Sequence, residues 1–332
     1  MRILVTGGAG FIGSNLLLHL HNKYSDYEFL NLDKLTYASD LSFLDELKDS
    51  SRYKFVQADL INRDEIGKII RSFKPNGVIH LAAESHVDNS ISGPEPFVLS
   101  NVVGTFNLIE ECRNYCKDEQ LNFDDFRFHH VSTDEVYGSL GAEGLFSETT
   151  PYAPNSPYSA TKAGSDFIVR SYYHTFKMNV VTTNCSNNYG PHQHDEKLIP
   201  TVIRTALNHK PIPVYGKGEN IRDWLFVLDH CKAIDLVFHK GRAGETYNVG
   251  GRNEWKNIDL VREMCNILND LKGDGPNGDY KNLISFVTDR PGHDLRYAID
   301  ASKVESELGW KNTQNFRKDL EETVRWYISR YN

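Results

Sequence analysis

The chain contains no apolar run approaching the roughly 20 residues that a membrane-spanning helix requires, so no membrane segment is expected. It opens Met-Arg-Ile-Leu-Val-Thr and runs straight into glycines, without the apolar region and small-residue cleavage site of a secretory signal. A cytoplasmic location is therefore expected. Cysteine is scarce: the five present are an odd number with no Cys-x-x-Cys spacing. That pattern points to reduced, buried thiols and away from disulfides or a zinc site. Cys112 and Cys116, one helical turn apart, read as core packing. His192 and His194 have no third ligand at a suitable spacing, so they read as loop residues and no metal is expected. A net charge of -8 without a basic stripe excludes a nucleic-acid partner, which needs clustered Lys and Arg. An anionic small ligand would need locally placed cations. No internal repeat or low-complexity tract is present.

What is present begins with an ordinary globular composition, 39% hydrophobic and 25% charged over 332 residues. That length predicts one large domain and one smaller domain sharing a cleft. The apolar run Arg2 to Thr6 leads into Gly7-Gly8-Ala9-Gly10-Phe11-Ile12-Gly13, where Gly8, Gly10 and Gly13 fit G-x-G-x-x-G ahead of a helical pattern from Phe11 to His21. Such a loop lets the backbone approach a pyrophosphate, and the helix N-terminus offers it free N–H groups. The next strand, Glu28 to Leu32, ends at Asp33, about 20 residues past the last glycine, where a carboxylate would hold the adenosine ribose hydroxyls. Because a carboxylate repels a 2′-phosphate, NAD is favoured over NADP.

Further strands are predicted at Lys54 to Gln57, Val78 to Leu81, Phe126 to Val131 and Val180 to Asn184. Helices are predicted at Arg63 to Phe73, Phe97 to Tyr115 and Ser159 to Phe176. The alternation predicts an α/β fold with a Rossmann-type, doubly wound parallel sheet. Regularity weakens near Asn187, where a smaller, interleaved α/β substrate domain is placed. Trp224 to Leu228, a helix from about Asp229 to Phe238, and Thr246 to Val249 read as a return to the first domain. The expected division is 1–186 for the dinucleotide domain, completed by about 224–249, with 187–223 and 250–332 for the substrate domain. Ligands of such sheets bind beyond the carboxyl ends of the strands, so Asp59, Leu81 to Ser85 and Thr133 to Glu135 should converge on one crevice.

Phe128 to Gly138 starts as a strand and ends in Thr133-Asp134-Glu135. A hydroxyl and two carboxylates can serve proton transfer, but neighbours in a strand point to opposite faces, so the backbone must leave the strand there. Standing alone, the pair reads more simply as a solvated acidic turn. Tyr158 and Lys162, four apart on the next helix, share one face. Making a phenol a useful base at neutral pH means lowering its pKa by roughly three units, ~4 kcal/mol. A cation about 4 Å away at an effective dielectric near 20 supplies approximately that much. Lys162 is suitably placed for this, although a surface Tyr-Lys pair would show the same spacing.

The glycine loop, Asp33, Thr133 and Tyr-x-x-x-Lys, in this order, resemble the extended short-chain dehydrogenase/reductases. In its finer motifs the chain resembles the dTDP-glucose 4,6-dehydratases of the NAD-dependent epimerase/dehydratase family. Those motifs are Thr6 to Gly13, Asp33 to Ala38, Leu81 to Asp88, Ser132 to Gly138, Tyr158 to Lys162, Asn184 to Pro191, Lys197 to Pro200, Arg222-Asp223-Trp224 and Asp289 to Asp294. The resemblance covers nearly the whole chain.

It implies that Tyr158 takes the C4 hydroxyl proton while hydride passes to NAD, with Thr133 bonded to the same oxygen and Lys162 supporting the phenol. Glu135 would remove the C5 proton and Asp134 would protonate the departing C6 hydroxyl, after which hydride returns to C6. One carboxyl must then be ionised and the other protonated, which for Asp134 implies a rise of about three units, ~4 kcal/mol. NAD contacts are implied for Gly7, Gly10, Phe11, Ile12, Gly13, Asp33, Lys34, Leu35, Thr36, Asp59, Leu60, Leu81, Ala82, Ala83, Ser100, Tyr158, Lys162 and Asn188. Ser85, Thr133, Asn187, Lys197, Leu198, Pro213, Val214, Tyr215, Asp289 and His293 are implied for the nucleotide sugar. Arg222 and Arg290 suit its diphosphate, because guanidinium matches phosphate oxygens in bidentate fashion. Asn257 reads either as a substrate contact or as the N-cap of a helix over Ile258 to Leu271.

Asn89, His192, Asp195 and Leu295 depart from the family pattern, and none is a proposed catalytic group. The sequon Asn184-Cys185-Ser186 falls at a strand end and is set aside. A 4-epimerase would share Thr133, Tyr158 and Lys162 but has no use for an acid and a base at C5 and C6, and a non-catalytic NAD-binding regulator would be expected to lose part of the set. A homodimer through the Phe97 to Tyr115 and Ser159 to Phe176 helices is expected by the same resemblance, although core burial gives the same pattern.

Overall fold

Short runs rich in Val, Ile, Leu and Phe, each closed by a glycine or polar turn, build the frame of the molecule. The computed structural model describes residues 1–273, 275, 278–289, 292–312 and 315–331. Its first six strands are β1 (Arg2–Thr6), β2 (Glu28–Asp33), β3 (Tyr53–Gln57), β4 (Gly77–His80), β5 (Arg127–Thr133) and β6 (Val180–Cys185). The second half adds β7 (Asn187–Tyr189), β8 (Ile212–Tyr215), β9 (Ile221–Phe226), β10 (Thr246–Val249), β11 (Glu254–Lys256) and β12 (Ile284–Val287). Seven of these pair, all in parallel, in the order β10-β6-β5-β4-β1-β2-β3. This is the doubly wound arrangement, with its switch point between β1 and β4.

Side-chain alternation explains why both faces are covered. In β1, Leu4 packs with Leu30, Val78 and Phe128 under the helices Arg63–Phe73, Gly104–Asp118 and Pro157–Phe176. Ile3 and Val5 point the other way, onto the helices Phe11–Lys23 and Val227–Lys240 through Leu16, Leu20, Ile234 and Phe238. A parallel sheet buried on both faces reads as a continuous apolar run, which is why these strands are visible in sequence. A separate core joins the helices Leu198–Leu207, Asn257–Lys272 and Phe316–Tyr331 to Tyr189, Ile212 and Val214. Ala301, Val304 and Trp310 share a core with Val181, Tyr247 and Val249 of the main sheet.

Two local expectations are corrected. β9 does not join the main sheet: it pairs with β7 and β11 in a three-stranded sheet, so the return to the main sheet begins with the helix Val227–Lys240 and ends in β10. The helix expected over Phe97 to Tyr115 is broken into Glu95–Phe97, a π turn over Val98–Val103 and Gly104–Asp118. At that turn the Asn101 amide accepts from Glu84 N at 2.8 Å and donates to Glu84 O at 3.0 Å and Thr161 Oγ1 at 3.0 Å. The wider turn and these bonds hold the chain after β4 against the Tyr158 helix. All five cysteines are free and buried. Among the described residues, no helix is long and apolar enough to cross a membrane.

Candidate active site

A cleft opens across the carboxyl ends of β1, β2, β4, β5 and β6, where unpaired strand ends and a helix N-terminus leave polar groups free. Gly7, Gly10, Phe11, Ile12 and Gly13 form its floor. A Cβ at Gly13 would lie 2.1 Å from Gly7 O, so the helix can start this close to β1 only with glycine there. Gly8 has a different role from its motif partners: it packs against Asn31 and Leu17 below the floor. The helix Phe11–Lys23 has no side-chain cap at Gly10, which leaves its first N–H groups for an anion. Asp33 ends β2 at the cleft wall. Its carboxylate accepts from Ala9 N at 3.0 Å, Leu35 N at 2.8 Å and Ser39 Oγ at 3.1 Å, which fixes it while leaving lone pairs for a diol.

Lys34, Thr36, Asp59, Leu60, Leu81, Ala82, Ala83, Ser100 and Asn188 line the same cleft. Leu35 is not on the wall; its backbone is left-handed (φ 59°) and its N–H holds Asp33. Lys34 pairs with Glu84 at 2.9 Å and Asn188 is held by His230 Nδ1 at 2.9 Å. Glycine floor, free N–H groups and a fixed carboxylate on the second strand fit a dinucleotide with an unsubstituted 2′-hydroxyl.

β5 ends at Thr133, whose Oγ1 accepts from Glu135 N at 3.3 Å and starts a 3₁₀ turn, Asp134–Tyr137. The turn closes at Gly138 with φ 90°, where a Cβ would meet Ala153 O at 2.4 Å. With three residues per turn the adjacent carboxylates diverge. Thr133 and Glu135 line the cleft, whereas Asp134 is 1% exposed and lies behind them. Its Oδ1 accepts from Thr133 Oγ1 at 3.4 Å and its Oδ2 has no hydrogen-bond partner. Burial first, then the carboxylates of Glu135 and Asp223, hold the Asp134 carboxyl well above its ordinary range against a smaller opposing effect of Arg222. Burial and these neighbours therefore favour its protonated form.

The helix Pro157–Phe176 starts at a capping box, with Ser159 N donating to Ser156 Oγ at 3.1 Å and Ser156 N to Ser159 Oγ at 3.1 Å. Tyr158 and Lys162 both face the cleft from it. Lys162 Nζ donates to Val131 O at 2.9 Å, and burial followed by the Glu135 carboxylate hold the Tyr158 phenol well above its ordinary value. The Thr133 hydroxyl, bonded to the phenol, acts in the lowering direction.

Of the residues expected to meet a nucleotide sugar, Ser85, Asn187, Lys197 and Leu198 line the cleft, and Lys197 Nζ reaches Ser85 O at 3.1 Å. Pro213, Val214 and Tyr215 are off the lining, in β8. Val214 is buried in the second core and the Tyr215 hydroxyl donates to Asp88 at 3.2 Å. Asp289 accepts from His293 Nδ1 at 2.6 Å on the same side. Arg222 is also off the lining: it is 5% exposed, donates to Ile221 O and Asp294 O, and covers the Tyr297 ring at 4.2 Å. Asn257 is the first residue of its helix, with Lys256 at the cap, so it is not the N-cap, and its Oδ1 is buried without a partner. Arg290 lies outside the described residues.

The four departures from the family pattern also find places. Asn89 donates to Tyr37 OH at 3.1 Å, and His192 stacks on Phe43 at 4.2 Å. Asp195 accepts the Tyr331 hydroxyl, and Leu295 is exposed. Ser39, Ser186, Gln193, Glu196 and Trp224 line the cleft unforeseen. Ser186 lies just past β6 and could have been suspected from position; Trp224 comes from β9, and Ser39, Gln193 and Glu196 arrive from loops with no local pattern.

The chain matches the family model described as GDP-mannose 4,6 dehydratase over residues 4–323. It is 51% identical over 331 residues to the dTDP-glucose 4,6-dehydratase of Neisseria meningitidis serogroup B, covering 98% of this chain and 93% of that protein. The crystal structure of dTDP-glucose 4,6-dehydratase from Bacillus anthracis, in complex with NAD, is 43% identical with a TM-score of 0.88, covering 99% and 97% of the two chains. The Streptomyces venezuelae enzyme of the same name, also with NAD bound, is 42% identical with a TM-score of 0.88 and the same coverage. The chain belongs to the GDP-mannose 4,6 dehydratase family and, within it, to the dTDP-glucose 4,6-dehydratases.

Proposed function

We propose that the chain is an NAD-dependent dTDP-glucose 4,6-dehydratase, a hydro-lyase that converts dTDP-glucose to dTDP-4-keto-6-deoxyglucose and water. The observation that carries this reading is the turn past β5, which sets a half-buried Glu135 on the cleft wall beside a buried Asp134 whose carboxyl is held well above its ordinary range. When bound, NAD accepts hydride from C4 and later returns it to C6, and its positive ring draws the Tyr158 phenol down. Tyr158 takes the C4 hydroxyl proton and Thr133 holds the same oxygen. Glu135 removes the C5 proton made acidic by the 4-ketone, and Asp134, buried behind the wall and bonded to Thr133 Oγ1, is the proton source for the departing C6 hydroxyl. Glu135 then returns a proton to C5, so one water is lost with no net redox change. Asp33 and the N–H groups after Gly10 are suited to the cofactor; Ser85, Asn187, Lys197 and Leu198 are suited to the sugar nucleotide. A 4-epimerase is the second reading, and Asp134 argues against it.

The domain division follows: 1–186 with 227–249 for the cofactor, 187–226 with 250–332 for the substrate. The second apolar core supports it, with 301–310 packing back on the main sheet. A homodimer is supported by Phe106 and Phe167, exposed on two adjacent helices, and a cytoplasmic location by five free thiols. Mass spectrometry after incubation with NAD and dTDP-glucose tests the activity. Loss of one water is expected; an unchanged mass with an inverted C4 would establish the epimerase instead.

A further inference from the structure

Beneath the cleft lies a buried polar layer that the proposed chemistry leaves unused. Asp166, one turn beyond Lys162 on the helix Pro157–Phe176, is 4% exposed. Its carboxylate accepts from Ser132 Oγ at 2.9 Å and Tyr152 OH at 2.9 Å, and His130 Nε2 lies 3.0 Å from it. Ser132 immediately precedes Thr133, so this carboxylate ties the end of β5 to the helix that carries Tyr158. The Tyr152 hydroxyl also accepts from Asn184 Nδ2 at 3.1 Å, which brings β6 into the same network.

Lys162 is equally buried, and its ammonium donates to the neutral Val131 carbonyl. A desolvated ammonium without a counter-charge tends to give up its proton. Of the groups that act on it, Asp166 and the Cys185 thiol favour the charged form, and the thiol carries no negative charge near neutral pH. Burial holds His80 and His130 neutral, pushes the Cys185 thiol up to about 12, and raises the Tyr152 and Tyr158 phenols. Asp166 is the carboxylate that acts on Lys162.

We propose that Asp166 is a positioning residue: it is the counter-charge that keeps Lys162 protonated, and through Ser132 it holds Thr133 in register with Tyr158. This rests on the dehydratase reading, in which Lys162 supports the Tyr158 phenol. The test is Asp166→Asn against Tyr152→Phe, which removes one of the hydrogen bonds to Asp166 and that from Asn184 but no charge. In Asp166→Asn, kcat at neutral pH should fall at least about tenfold with KM within about threefold, and the alkaline limb of kcat should move down by at least about one pH unit. In Tyr152→Phe that limb should stay with the wild type. The Lys162 pKa, read without turnover from its side-chain nitrogen NMR shift, should fall likewise in Asp166→Asn alone. An inactive wild-type enzyme would fail the dehydratase reading yet leave this titration decisive. An unchanged Lys162 pKa in folded Asp166→Asn, or an equal fall in Tyr152→Phe, overturns the proposal. If Asp166→Asn does not fold, Ser132→Ala with Tyr152→Phe should move the acid limb to higher pH, and an unmoved limb is the contrary result.

Discussion

Two adjacent carboxylates divide their work because one residue of backbone separates a cleft wall from the interior. Asp134, buried beside Glu135 and Asp223, is pushed toward its protonated form, while Glu135 stands in the cleft. Asp134→Asn keeps the shape and removes the acid. C4 oxidation should continue in that variant while elimination slows by roughly 10²–10⁴, as expected for a lost general acid. Trapping of the 4-keto sugar that still carries its C6 hydroxyl checks this, and an unaltered rate of water loss contradicts it. The residue types at the site were legible from the chain alone: Asp33, Thr133, Glu135, Tyr158 and Lys162 line one cleft, and Asp134 is buried next to it. Which carboxylate faces the ligand was not legible. That depends on a 3₁₀ turn closed by Gly138 against Ala153, fifteen residues on and without a local pattern. The partner of Lys162, a strand carbonyl, was equally hidden, because it is contributed by the sheet and not by the helix.

At the scale of elements, the central strands β1, β4, β5 and β6 were readable because they are buried on both faces, and the ends of the predicted main-sheet strands agree with expectation to within two residues. Pairing is non-local, so the separate sheet of β7, β9 and β11 could not be read from periodicity. Nor could the π turn at Val98–Val103, which depends on the Asn101 bonds to Glu84 and Thr161. The turn after β5 is the element on which activity depends. Gly138→Ala forces a side chain into a backbone region nearly reserved for glycine, at roughly 1–3 kcal/mol before the clash with Ala153 O is added. Urea unfolding should show at least that loss, and kcat should fall with it. The Ser156 cap is a milder case: Ser156→Ala should cost about 1 kcal/mol and leave KM nearly unchanged.

The whole molecule is held against acid by a site far from the cleft. Asp235 on the helix Val227–Lys240 is 1% exposed and accepts from Lys23 Nζ at 2.7 Å and Tyr24 OH at 2.9 Å, with His19 Nε2 at 3.1 Å. These partners outweigh burial and hold its carboxyl far below the usual range. A folded pKa below the unfolded value near 3.9 gives stability that is present above about pH 4 and lost as pH falls through the acid range. Asp235→Asn should therefore cost roughly 2–3 kcal/mol at neutral pH and flatten the acid limb of stability, measured by thermal melts from pH 3 to 7. An unchanged acid limb would show that other carboxylates set it.

The account as a whole is tested most directly by turnover of dTDP-glucose in heavy water by the intact protein with NAD. It predicts a product lighter by one water and carrying one solvent deuteron at C5, because Glu135 exchanges its proton before returning it. A product of unchanged mass with C4 inverted, or a dehydrated product without deuterium, would contradict it.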